Sequence, residues 1–233
     1  MKKHIFFVVI IVLFLAIISF AQQQSPYYSD IQMWNTVQIT VPLFKGKDSK
    51  DKPYDKVAVE FNGIARLGRN VTYPVDTRFS TTLDFRINKY LKFSPGYLYQ
   101  RSEIVPHIKN YESRLTLAGN FEKKFGNFTF KHRSMFEYKF RNSRSNTQVY
   151  RSRYQISHPI KFHEKEIFSP FISEEPYYEF TNKVWNRNEF FAGISRRINK
   201  NFVMDIFYIN QWAKTGLPHT VNGLGISFKV RID

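Results

Sequence analysis

The feature that most constrains this chain is an apolar/polar alternation that recurs from residue 33 to its end. Near the C-terminus, Asn222, Leu224, Ile226, Phe228, Val230 and Ile232 share one parity. Gly223, Gly225, Ser227, Lys229 and Arg231 share the other. Successive side chains of a strand point to opposite faces, so this run reads as a strand with one apolar face. The same period recurs over 33–43 (Val37, Ile39, Val41, Leu43), 57–67 (Val57, Val59, Phe61) and 78–87 (Phe79, Leu83, Phe85, Ile87). It returns over 128–141, where Phe128, Phe130, Phe136, Tyr138 and Phe140 oppose Lys131, Arg133, Glu137, Lys139 and Arg141. In all there are about eleven such runs, and no stretch of helical period interrupts them.

A soluble sandwich alternates too, so the choice of architecture rests on three further features. The runs are long, and about nine to eleven tilted residues cross a bilayer whereas soluble strands average about five to six. The connections alternate between short polar turns, such as Phe125-Gly126-Asn127 and Asn199-Lys200-Asn201, and longer links, such as 101–111 and 213–220. Aromatic residues gather at the run ends: Tyr73, Tyr99, Tyr111, Tyr150, Trp185 and Trp212 toward the long links, Phe44, Tyr90, Phe125, Phe162 and Phe202 toward the short turns. Together these predict an all-β, antiparallel, transmembrane up-and-down β-barrel of about 10–12 strands with two interfacial girdles. Eleven runs conflict with the even strand number of single-chain bacterial barrels. That rule points to a hidden strand within 22–30 or to one split run. The link over 44–55 breaks the alternation of lengths.

The first 21 residues read as an address. Lys2 and Lys3 precede an apolar run over 5–18, then Ser19-Phe20-Ala21 offers small residues for cleavage. This is the pattern of a secretory signal peptide, leaving 22–233 as one barrel domain. The expected location is the outer membrane of a Gram-negative bacterium. The expected partners are outer-membrane lipid and, during biogenesis, the barrel-assembly machinery. With no cysteine, the chain has no disulfide framework, thiolate metal site or cysteine nucleophile. Its formal net charge of +16 invites a nucleic-acid reading. However, the basic residues are spread over alternate strand positions, so no nucleic acid is expected. External Lys109, Arg141, Arg144 and Lys183 read either as contacts to the anionic lipopolysaccharide layer or as charges of ordinary solvated loops.

Several short patterns occur in a fixed order. Met33-Trp34 opens the first strand, and Ser94-Pro95-Gly96-Tyr97-Leu98-Tyr99 lies in the fourth. Tyr150-Arg151-Ser152-Arg153-Tyr154 precedes His158-Pro159, and Pro170-Phe171-Ile172-Ser173-Glu174-Glu175 follows. Trp185-Asn186-Arg187-Asn188-Glu189-Phe190-Phe191-Ala192-Gly193 and Tyr208-Ile209-Asn210-Gln211 complete the series. In this order the chain resembles the uncharacterised outer-membrane β-barrel family known as domain of unknown function two-four-nine-zero. The resemblance covers nearly all of the chain after residue 21 and implies a small outer-membrane barrel with no assigned reaction. The acidic terminal Asp233 and the long first link depart from it.

The polar parity carries the candidate site. Arg133, Glu137, Arg151, Arg153, Glu175 and Asp205 fall on the presumed lumen face. Cross-strand proximity should let Glu137 pair with Arg151 or Arg153. One reading is a network of paired charges that fills a narrow barrel, since a lone buried charge is costly. The other is an anion-selective constriction, since basic residues outnumber acidic ones. No cofactor and no metal are implied, and the chain reads as a non-enzyme. Two alternatives have their own residues or logic. His132 and Ser134 on the outward face, with His158 nearby, raise a lipid-modifying enzyme, although no orienting third group is identified. Glu174, Glu175 and Glu179 raise acid–base or cation chemistry, but neighbours on a strand face opposite ways, so only Glu175 and Glu179 share a face. The last alternative is a soluble periplasmic β-domain binding an apolar ligand.

Overall fold

A computed structural model describes residues 28–47, 51, 53–163 and 165–232. Residues 1–21, read above as a signal peptide, residues 22–27 of the stretch where the even-number rule points to a hidden strand, and the terminal Asp233 lie outside these residues. The elements are β1 (Ser29–Lys47), β2 (Pro53–Gly68), β3 (Tyr73–Arg86), β4 (Leu91–Ser102), β5 (Asn110–Phe125) and β6 (Phe128–Arg141). They continue with β7 (Thr147–Ser157), β8 (Ile160–Phe162), β9 (Lys165–Glu179), β10 (Val184–Asn199), β11 (Phe202–Ala213) and β12 (Thr220–Arg231). Each long strand pairs with its sequence neighbour, and β12 pairs with β1, so the sheet closes into a barrel. Closure leaves no sheet edge with unpaired backbone groups.

Among the described residues eleven long strands form the wall, and the even-number expectation does not hold. The short β8 continues β7 beyond His158-Pro159 and makes a hairpin with the start of β9. An odd number forces the first and last strands to run the same way. They pair in parallel, from Ser29 opposite Thr220 to Thr40 opposite Arg231. Every other seam is antiparallel.

The long first link is also corrected. β1 runs on to Lys47 and β2 starts at Pro53, with bulges around Phe44 that let the extra residue leave the ladder. Only residues 48–52 connect them, so all connections at that end are short: 48–52, 87–90, 126–127, 163–164 and 200–201. The opposite end carries 69–72, 103–109, 142–146, 180–183 and 214–219. Tight φ-positive residues sit in these connections, including Gly126 (φ 57) in the two-residue β5–β6 turn.

Burial is inverted relative to a water-soluble fold. Leu224, Ile172 and Leu115 are 57%, 55% and 54% exposed on the outer wall, while Glu175 and Glu137 are 0% and 1% exposed inside. Phe79, Phe93, Leu117, Phe136, Ile194 and Ile206 extend the exposed apolar surface around the barrel. Exposed Tyr99, Tyr111, Trp185 and Trp212 stand at the long-link end, and Phe44, Tyr90, Phe125 and Phe162 at the short-turn end.

Candidate functional site in the barrel interior

Strand parity delivers the charges to the lumen, and register decides who meets whom. On β6 and β7, Met135 lies opposite Arg151 and Arg133 opposite Arg153, which sets Arg151 diagonal to Glu137. Arg151 Nη1 donates to Glu137 at 2.7 Å, and Arg114 Nη1 donates to it at 3.3 Å. Lys139 Nζ lies 3.3 Å from the same carboxylate. Glu175 on β9 is gripped in the same way. Arg133 Nη2 donates to it at 2.7 Å, Arg151 Nε at 3.0 Å and Arg153 Nε at 2.7 Å. Arg151 thus bridges two fully buried carboxylates. A buried ion is tolerated only when its lone pairs and protons are matched, and this arrangement matches three cations to each acid.

Of the six candidate residues, five form this network. Arg153 serves Glu175 rather than Glu137. Asp205 stands apart on the β11–β12 wall, where Lys229 Nζ lies 2.6 Å from it. Further ion-pair layers lie toward the long-link end. Glu112 accepts from Arg114 at 2.5 Å and Arg141 at 2.8 Å. Asp76 accepts from Arg78 at 3.0 Å and lies 3.6 Å from Arg66. Arg141 is therefore an interior ion-pair member rather than a headgroup contact, whereas Lys109 and Lys183 are exposed as expected.

The opposite wall is aromatic. Trp34, Phe191 and Ile209 are buried together, with Phe171 and Phe207 packed against them. Gly193 and Gly225 make room for Phe207, because a Cβ at either would meet that side chain. Cations lie over aromatic rings across the strands: the Arg66 guanidinium carbon is 3.3 Å above the ring of its cross-strand partner Trp34, Arg151 4.4 Å from its cross-strand partner Tyr177, and Arg153 on β7 4.5 Å from Phe191 on β10. Sequence reasoning missed Trp34 and Tyr177 as network partners. Their signal was available, since Tyr177 stands two residues after Glu175 and Trp34 two before Thr36.

At the long-link end a clamp ties the 103–109 link to Arg69 and Tyr73. Glu103 accepts from the Tyr73 hydroxyl at 3.1 Å and the His107 backbone N–H at 3.2 Å. Arg69 donates to the Glu103 carbonyl at 2.8 Å while stacking over Tyr73. Desolvation pushes the Glu103 carboxyl upward. The His107 N–H and the Tyr73 hydroxyl outweigh it, with Lys109 and Arg69 adding to them, and hold the group below its ordinary value of 4.5.

Free volume lies at the other end. A cavity of about 720 Å³ opens among the β3–β4, β5, β6 and β7 positions at the short-turn mouth. A second, of about 360 Å³, shares Lys92, Asn120, Arg133, Arg153 and Gln155 with it and reaches inward to Arg66 and Glu137. Glu103, Glu112, Lys139, Tyr177 and Glu179 line neither cavity.

The two enzymatic constellations separate. His132 does face outward, but its ring nitrogen lies 2.9 Å from Ser152 Oγ, while Ser134 donates to the Tyr150 hydroxyl at 3.0 Å. Ser152 is 3% exposed, and the His132 ring stacks on Tyr154 at 4.7 Å. His158 packs on Phe128 at 4.8 Å. Glu174 points outward and accepts from Asn188, while Glu179 inside accepts from Thr147 and Asn186. Glu175 and Glu179 share the lumen face but are held by different partners. No group of three His, Asp or Glu among the described residues is arranged to hold a metal ion. The outward polar groups satisfy one another, as when Tyr208 and Asn210 both donate to Asn222. Such mutual pairing lowers the cost of polar atoms on an apolar wall.

A family model described as "Protein of unknown function (DUF2490)" matches residues 31–222. No curated protein matches the chain. A solved structure described as "NanC porin structure in rhombohedral crystal form" is similar, with a TM-score of 0.45 and 11% identity. The similarity covers 78% of this chain and 86% of that one.

Proposed function

From the premise that this chain belongs to the DUF2490 family of unknown function, we propose that it is a bacterial outer-membrane barrel whose ionic interior seals the long-link half. It crosses the bilayer with its eleven long strands, the long links outside and the short turns in the periplasm. Residues 1–21 direct export and are removed. Outer-membrane lipid surrounds the wall, and the barrel-assembly machinery inserts it.

The single observation that carries this reading is the inversion of burial: Leu224 at 57% exposure outside against Glu175 at 0% inside. In water that wall would be an apolar surface far larger than soluble monomers expose. In lipid it is the expected solvent-facing surface, and every long strand of the closed wall has a paired neighbour on both sides. The same inversion disfavours a soluble domain with an apolar pocket. The interior supports a non-enzymatic role, because the central carboxylates Glu137 and Glu175 are each committed to three cations and not held free for proton transfer.

The test combines location with a facing variant. The protein should fractionate with outer membranes, and unboiled protein should migrate faster than boiled protein on a detergent gel. Leu224→Arg should cost about 2–4 kcal/mol, as for a basic residue near the bilayer midplane. Recovery in the soluble periplasmic fraction, or a Leu224→Arg barrel as heat-resistant as wild type, would contradict the proposal.

A further inference from the structure

We infer that the short-turn mouth of the barrel binds a compact, soluble oxyanion carrying two or more negative charges, such as a diphosphate. The cavity there, about 720 Å³, has the size of a small-molecule site. Its charge is one-sided. Arg86, Lys89, Lys92, Lys124, Lys131 and Arg133 are among its lining residues, and Glu122 is the single carboxylate among them. Three of these cations are ion-paired: Lys131 lies 3.1 Å from Glu122, Lys92 2.6 Å from Asp84 and Arg133 2.7 Å from Glu175. Among the described residues, Arg86, Lys89 and Lys124 make no ion pair. Arg86 and Lys89 rest instead near the Tyr54 and Tyr90 rings, at 5.3 and 4.8 Å.

An independent observation lies at the inner end of the cavity. Arg133 Nε is buried without a hydrogen-bond acceptor. Its Nη2 already serves Glu175, so the guanidinium fork is half used. A buried donor left unmatched is expensive, and an anionic oxygen is the acceptor that suits it best.

The valence follows from the count of uncompensated groups. One carboxylate ligand would leave most of them unmatched, whereas a compact di- or trianion offers several oxygens to several cations at once. A concave, low-dielectric wall of one sign also concentrates counter-ions at its mouth. The cations that line the cavity from β4, β5, β6 and β7, namely Lys92, Lys124, Lys131, Arg133 and Arg153, stand on the lumen parity, which favours a dissolved anion entering the mouth over a membrane headgroup. The packed ion-pair layers toward the long-link end make the cavity a blind vestibule entered from the short-turn side. This inference goes beyond the proposed function and does not depend on the barrel's being inert.

The test is calorimetric titration of full-length protein, folded in zwitterionic lipid nanodiscs and checked by its gel shift, with pyrophosphate. Saturable one-site binding that weakens with added salt is expected, and acetate should bind far more weakly. Arg86→Gln and Lys124→Gln should each weaken pyrophosphate binding about tenfold or more, equivalent to about 1.4 kcal/mol. Arg196→Gln, an exposed cation on the outer face at the same end, should leave binding unchanged. Absence of saturable binding by folded protein would overturn the inference while leaving the barrel reading intact. Equal losses in all three variants would overturn it too, as the mark of diffuse charge attraction. Loss of pyrophosphate binding in phosphatidylglycerol nanodiscs would show that a headgroup takes the site, against the dissolved-anion assignment.

Discussion

The two ends of the lumen are built from the same residue types and reach opposite results. In the middle and toward the long links, acids and bases are interleaved closely enough to cancel. Glu137 and Glu175 each hold three cations, Glu112 holds Arg114 and Arg141, and Asp76 holds Arg66 and Arg78. The smaller cavity reaches inward as far as Glu137, but Glu112, Lys139, Tyr177 and Glu179 line neither cavity. At the short-turn mouth, on the wall from β3 to β7, a cavity remains among lysines and arginines, and Glu122 is the one carboxylate that lines it. The lesson is that charge in a barrel interior seals it only where the signs alternate across neighbouring strands. An excess of one sign repels itself open and leaves room for a counter-ion from outside.

The largest effect that follows from this contrast is in stability. Glu175→Gln removes the charge that holds Arg133, Arg151 and Arg153 together in a fully buried place. It should cost about 3–5 kcal/mol, the range for breaking a buried pair. Glu122→Gln at the mouth breaks a pair whose side chains are about half exposed. It should cost about 1 kcal/mol or less, the range for surface pairs. Urea unfolding of lipid-refolded protein, followed by tryptophan fluorescence, reads both. Similar midpoints for the two variants would erase the distinction between sealed core and open mouth.

A smaller effect belongs to the external clamp. Glu103 is held below its ordinary value of 4.5 in the folded protein, so its contribution is present at neutral pH. That contribution is lost as pH falls through the lowered folded value. The 103–109 link should therefore exchange its backbone amides faster on acidification below pH 4.5, after correction for intrinsic rates. Glu103→Gln should exchange faster already at pH 7. A link whose protection is unchanged across that range would remove Glu103 as its fastener.

Much of this arrangement was legible in the sequence, for a specific reason. Period-two parity is rigid, so the face of Glu137, Arg151, Glu175 or Leu224 follows from its position alone. Parity also placed Asp205 inside, but it carries no information about which strand lies how far around the wall. Asp205 consequently reads like a network member, although register gives it Lys229 instead. The strand count was present in the runs themselves. A parity rule drawn from antiparallel barrels argued against it, because nothing local in β1 or β12 marks a parallel seam. The bulges near Phe44 hid the ends of β1 and β2 behind a charged stretch that looked like a loop. His132 and Ser134 looked paired because they share a face two residues apart, whereas each finds its partner across the ladder on β7.

The central claim is that the ion-pair layers close the barrel beyond the short-turn mouth. Single-channel recording of purified wild-type protein in planar bilayers tests it most directly. The account predicts no steady conductance from protein that shows the folded gel shift, with the lumen blocked at Glu137 and Glu175. A steady, anion-selective conductance in wild type, weakened in selectivity by Arg133→Ala, Arg151→Ala or Arg153→Ala, would contradict it and make the same residues the walls of a pore.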